Sequence, residues 1–338
     1  MASLATVVIK MTHKRIAALF LLAYIFSAIA QASTTQNINH AAVQLTNFPV
    51  EYFIDTSKTA SFQQVRHEAF KETSSRTSLG TKATVTWYRV SLKNSSTQAK
   101  RLYLHLPQAY HLRSLEIVEE KPDGTTVHTP FDITKANKHS YMFQGTLAYP
   151  FDLAAGAQTT LYVRSHVYTH QWFTLEVFDE EHSKRALANT HLDIALLVGM
   201  MLALVFYNGL LYFATSKKEN IYYSLYLISG LTWIALSYGL VGKAFNAYGA
   251  HVFWLNLTIF TMPIFLLLFM MAIFETKQYY PTEHRALQGM LLLLTGPFIY
   301  GIFDVSGALK YASTLAALMM LITFSVSLSL YRKKNPLV

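Results

Sequence analysis

Residues Leu192 to Tyr238 hold a hydrophobic run, a short lysine-bearing turn and a second hydrophobic run. The first run ends at Phe213 and carries one charge, Asp193, at its outer end. At about 1.5 Å per residue it covers roughly 33 Å, enough to cross a hydrocarbon core of about 30 Å. Lys217 and Lys218 fill the turn, and a bilayer holds such a turn on its cytoplasmic side. A chain built around this hairpin places its preceding residues outside and weaves its later ones back and forth.

The rest of the C-terminal half fits that expectation. Five spans are expected in a transmembrane domain over 192–338, at about 192–214, 222–241, 252–274, 286–303 and 311–331. Loops assigned inside carry Lys217, Lys218, Lys277, Arg285, Arg332, Lys333 and Lys334; loops assigned outside carry Lys243 and Lys310. This positive-inside bias places the C-terminus in the cytoplasm. Pro263 and Pro297 interrupt two spans, where freed carbonyls favour a kink. Such kinks serve moving parts or packing alone. Asn208, inside the first span, suits an interhelical hydrogen bond. Asn208, Pro263 and Pro297 are the candidates for signal transmission.

Residues 1–32 read as a secretory signal peptide, with Lys14 and Arg15 before an apolar run and Ala30-Gln31-Ala32 as the cleavage site. An exported domain over 33–185 follows, then a juxtamembrane stretch, helical in tendency, at 186–191. This places the domain on the outer side of a membrane. Cysteine is absent from the chain, so its own core must hold the exported domain. The net charge of +9 comes with no basic run interleaved with aromatics, and no nucleic-acid groove is expected.

Val50–Ile54 reads as an edge strand. Thr84–Asn94, Arg101–Leu106, Ser114–Glu119, Tyr141–Leu147, Thr159–Val167 and Trp172–Phe178 are short, β-branched and aromatic, and are separated by turn residues. Strands in series without helices predict an antiparallel β-sandwich, making the whole an α+β membrane protein. Alternation assigns Tyr88, Val90, Leu92, Leu102, Leu104, Leu106, Leu161, Val163, Phe173, Leu175 and Val177 to the core face. The opposite faces are left with Trp87, Arg89, Tyr103, His105, Tyr162, Arg164 and Trp172. Ring stacking and Arg hydrogen bonds would suit these seven to a periplasmic small molecule or carbohydrate. The same residue types also form good strands on any solvated sheet.

The stretches TWYRVSLKN (86–94), DG (123–124) and TTLYVRS (159–165) resemble the second type of extracellular domain of the bacterial seven-transmembrane receptors with diverse intracellular signalling modules. GMMLALVFYNGLLYFATSKKENIYYSLYLISG (199–230) with SYGL (237–240) resembles the start of their membrane domain. The resemblance implies a jelly-roll sensor, a helix bundle that shifts between two arrangements, and a cytoplasmic signalling partner or output module, with a homodimer as a plausible assembly. Two further spans and an output module would follow in the family, so the expectation is either a truncated chain or a short receptor with a separate partner. A membrane-anchored carbohydrate-binding or envelope-assembly protein is the competing reading. No catalytic or metal motif stands out, and neither an enzyme nor a cofactor is expected.

Overall fold

The computed structural model describes residues 35–188 and 192–333. The expected signal peptide at 1–32 and the end of the juxtamembrane stretch lie outside the described residues. Two β-sheets face each other over one core. The larger runs in the order β4 (Lys71–Ser74), β3 (Pro49–Ile54), β6 (Val85–Asn94), β12 (Gln158–Val167), β8 (Leu112–Glu120) and β9 (Thr126–Asp132), with β1 (Gln36–Ile38) pairing parallel to β6. The smaller runs in the order β10 (Met142–Phe143), β11 (Thr146–Leu153), β7 (Lys100–Leu106), β14 (Glu176–Asp179) and β2 (Gln44–Leu45). A separate ribbon pairs β5 (Arg76–Gly80) with β13 (Gln171–Thr174).

Period-two alternation places the core where the sequence predicts it. Tyr88, Val90 and Leu92 of β6 and Leu161 and Val163 of β12 meet Leu102, Leu104 and Leu106 of β7 in one buried cluster. Three strand expectations need correction. β3 is an interior strand, because β4 pairs along its other side. The Trp172–Phe178 segment splits at Leu175, whose amide donates to the Ser75 carbonyl, and its halves join different sheets. The Tyr141–Leu147 segment breaks at Gln144 and Gly145, both at positive φ.

Helical segments cover both outer faces of the sandwich. The single turn α1 (Phe62–Val65) buries Phe62 and Val65 against Trp87 and Tyr162. Helix α2 (Glu180–Ala188) lies against β7 and β14. Asp179 fixes its start by accepting from the His182 amide at 2.9 Å and the Val43 amide at 2.7 Å, which satisfies an otherwise orphan helix donor.

The second half is helical. α3 (Leu192–Thr215) turns at Ser216 into α4 (Lys218–Ser237), followed by α5 (Leu240–Phe245), α6 (Ala250–Ile273, 3-10 in form at Trp254–Leu257), α7 (Pro281–Phe303), α8 (Val305–Leu309) and α9 (Ala312–Arg332). Among the described residues four helices, not the expected five, are long and apolar enough to cross a membrane: Ala195–Thr215, α6, α7 and α9. α4 falls short because its sequence is that of an interior helix. It begins Lys-Glu-Asn and turns Ser224, Ser229 and Gly230 towards its neighbours. Ser224 Oγ donates to the Val205 carbonyl on α3 at 3.4 Å, and Thr261 of α6 donates to Ser229 at 2.8 Å. Small residues of this kind allow close helix packing. At the basic end of the bundle, Ser329 and Lys333 of α9 both bond the buried Glu283 of α7. The sandwich sits at the other end.

Candidate functional site

A helix leaves its last carbonyls without intrahelical partners. At the end of α4 the sandwich supplies partners. The 3-10 turn Ala109–His111 lies between β7 and β8. There the Tyr110 hydroxyl donates to the Ser237 carbonyl at 3.0 Å, and His111 Nε2 bonds the same oxygen at 3.2 Å. Burial pulls His111 down to about 4, against the opposing pull of the Ser237 bond, so a neutral imidazole donates Nε2–H at neutral pH. Two glycines lie close against the Tyr110 ring. A Cβ on Gly239, at φ +74, would lie 2.7 Å from its Cε1, and one on Gly145 would lie 3.1 Å from its Cδ1.

The chain after α4 then enters the sandwich. Tyr248, 2% exposed, belongs to the sandwich core cluster although it lies between α5 and α6. Its hydroxyl donates to Asn246 Oδ1 at 2.7 Å and meets the backbone of Gly145. Gly242 makes room for the Tyr248 ring, and Gly249 lies against Ile133 and Thr134. Beyond it, Phe253 of α6 stacks on Tyr168 with ring centroids 4.1 Å apart.

Beside these contacts lies a cleft of about 850 Å³ whose walls come from both halves of the protein. Tyr238 and Lys243 close it on the bundle side, α2 contributes His182 and Arg185, and the sandwich contributes His105, Phe143, Trp172 and the ion pair of Arg76 with Glu176 at 2.8 Å. Trp172 and Phe143 stay 45% and 44% exposed, offering ring faces to an occupant. Lys243 has no ion-pair partner among the described residues, and burial lowers its affinity for a proton.

His105 lies in the cleft wall, buried beneath α2, with Nε2 2.8 Å from Ser183 Oγ. Burial pulls it down to about 4. The folded protein therefore refuses a proton that the unfolded chain accepts below about pH 6.5. Stability from this group is intact above about pH 6.5 and is lost as pH falls towards 4, by roughly 3 kcal/mol. Melting curves between pH 7 and 4 should show a shallower decline for His105→Asn; parallel curves would remove His105 as the source.

The seven candidate ligand residues lie on different faces of the sandwich. Trp87, Arg89, Tyr162 and Arg164 lie on the outer face of the larger sheet, with Trp87 and Tyr162 buried under α1. Arg89 is engaged by Glu51 in two bonds of 2.8 and 3.0 Å and lies 4.3 Å from the Phe70 ring centroid. Tyr103 and His105 lie on the opposite sheet, and Trp172 on the ribbon. Only His105 and Trp172 meet at the cleft. Helical segments cover several of these outward positions: α1 lies over Trp87 and Tyr162, and α2 over His105. Asn208 Nδ2 donates to the Leu204 carbonyl of its own helix at 2.9 Å, and its side chain has no interhelical hydrogen bond among the described residues. Pro263 is buried within α6 and Pro297 lies within α7. The sequence reading missed Tyr110, His111 and Tyr248; three glycines around one tyrosine at 239–249 were the available signal. Among the described residues, no group of three or more His, Asp or Glu is placed to hold a metal ion.

A β-sandwich clamped onto the end of a bundle of long apolar helices is the architecture of a multi-pass membrane protein with a domain outside the membrane. The family model described as 7TMR-DISM extracellular 2 matches residues 49–179, and the one described as 7TM diverse intracellular signalling matches residues 191–338. The chain belongs to the family of seven-transmembrane receptors with diverse intracellular signalling modules. No curated protein matches it.

Proposed function

We propose that the protein is a bacterial inner-membrane receptor that binds a small polyhydroxylated ligand, a mono- or disaccharide, in the junction cleft. The sandwich stands in the periplasm, and the basic ends of the helices face the cytoplasm, where a signalling partner or output module responds. One observation carries this reading: the cleft is walled by Tyr238 and Lys243, adjoining the carbonyl that Tyr110 and His111 cap. An occupant that changes the width of the cleft moves the sandwich relative to the end of α4. A ligand biases such a bundle only through unequal affinity for its two arrangements. Trp172 and Phe143 would stack on the apolar faces of a sugar ring, and Arg76, Glu176 and Arg185 would bond its hydroxyls.

The chain's lack of cysteine makes a test clean. Gln108→Cys with Lys243→Cys places a reporter pair across the cleft. A panel of mono- and disaccharides at saturation should change the rate of crosslinking, and Trp172→Ala should weaken the effective sugar by at least about tenfold. Crosslinking indifferent to every sugar, or an affinity unchanged in Trp172→Ala, would sink the reading.

A further inference from the structure

The outer face of the larger sheet holds a second, smaller pocket away from the cleft. The register of β8 and β12 sets Glu116 directly opposite Arg164. Opposite charges in such positions attract one another, yet here they turn apart. Glu116 Oε1 lies 3.2 Å from His128 Nδ1 on β9, while Arg164 Nη2 donates to the Lys58 carbonyl at 2.8 Å. A pocket of about 320 Å³ opens beside them, lined also by Thr59, Ser61 and Phe62. The Arg164 guanidinium is not fully bonded: its Nε is buried with no acceptor. Trp87, opposite Arg164 on the next strand, buries its indole N–H without an acceptor as well. One row across three strands thus carries a carboxylate at one end and unsatisfied donors at the other.

We propose that this pocket binds a small zwitterion of the α-amino acid class, its carboxylate on Arg164 and its ammonium on Glu116. The charge pattern selects this class. A simple anion would meet Glu116, and a simple cation would meet Arg164, each at a cost in a partly desolvated site. A neutral sugar would leave both charges without a counter-charge. An α-amino acid presents both charges a few ångströms apart, and a guanidinium takes a carboxylate in paired, charge-assisted bonds. The volume suits a ligand of this size, and Thr59 and Ser61 add hydroxyls at the rim. The site stands independently of the junction cleft and shares no residue with it.

Calorimetric titration of the full chain in detergent with each of the twenty standard L-amino acids tests the proposal. N-acetyl and amide derivatives of those that bind, together with glucose, serve as comparators. Saturable binding of one or more free amino acids is expected, weakened at least tenfold by removing either ligand charge. Arg164→Gln and Glu116→Gln should each weaken it by at least tenfold with the melting temperature retained, and Trp172→Ala should leave it unchanged. Glu116→Gln keeps the side-chain shape, so it serves even where Arg164→Gln fails to fold. Three results would overturn the proposal: no free amino acid binds, binding persists unchanged in a folded Arg164→Gln or Glu116→Gln variant, or an N-acetyl derivative binds equally well. Loss of sugar binding at the cleft alone would leave it standing.

Discussion

Tyr248→Ala is expected to lower the stability of the sandwich by about 3–5 kcal/mol, the usual cost of truncating a buried aromatic ring. The ring is 2% exposed inside the sandwich core, and its hydroxyl bonds Asn246. Truncation leaves a cavity between two sheets that cannot collapse onto it. It also frees the α5–α6 connection from the sandwich, so the effect has two readouts. Thermal unfolding followed by tryptophan fluorescence should shift downward, and protease cleavage between residues 239 and 249 should accelerate. Tyr248→Phe retains the ring and should recover most of the loss. Equal losses in the two variants would mean that the Asn246 and Gly145 contacts, rather than the ring, hold the junction.

Gly239→Val should disconnect the sandwich from α4. Gly239 is in the left-handed region at φ +74, which by itself costs a β-branched side chain more than about 1 kcal/mol. Its Cβ would also lie 2.7 and 2.8 Å from two atoms of the Tyr110 ring, whose neighbouring Cδ1 is already closely approached at Gly145. The ring must therefore leave the Ser237 carbonyl. A cysteine pair at His111 and Ser237 should crosslink readily in the parent and slowly in Gly239→Val. Combining Gly239→Val with Tyr110→Ala relieves the clash but not the backbone strain, so stability should return in part while the hydrogen bond stays lost. Equal crosslinking in parent and Gly239→Val would show that the contact is not held as described.

The parts of this fold that arise from local pattern were readable from the residues. Leu102, Leu104 and Leu106 fall on one face of a strand whatever lies across from them, and the apolar spans announce themselves by length. What the pattern could not show was what lies over the other faces. Phe62 and Ser183 come from polar segments with little periodicity, yet they cover Trp87 and His105. A covered aromatic and a ligand-facing aromatic look alike along a strand. The junction was hidden for a different reason. Tyr110 reaches Ser237 across 127 positions, so no window along the chain contains both. α4 was counted as a span because its aliphatic content is high, although its serines and glycine mark it as the helix that the others enclose.

Tyr248 also bears on the order in which the protein can be made. The sandwich strands end at Asp179, but the core they enclose takes one of its rings from residue 248. During vectorial synthesis, the exported domain emerges and pairs its strands with a socket still open. The socket fills only after α3 and α4 have formed and brought the chain back to the sandwich. Final consolidation of the sandwich core therefore waits on the folding of the first helical hairpin, so a chain whose hairpin misfolds leaves that core short of a ring.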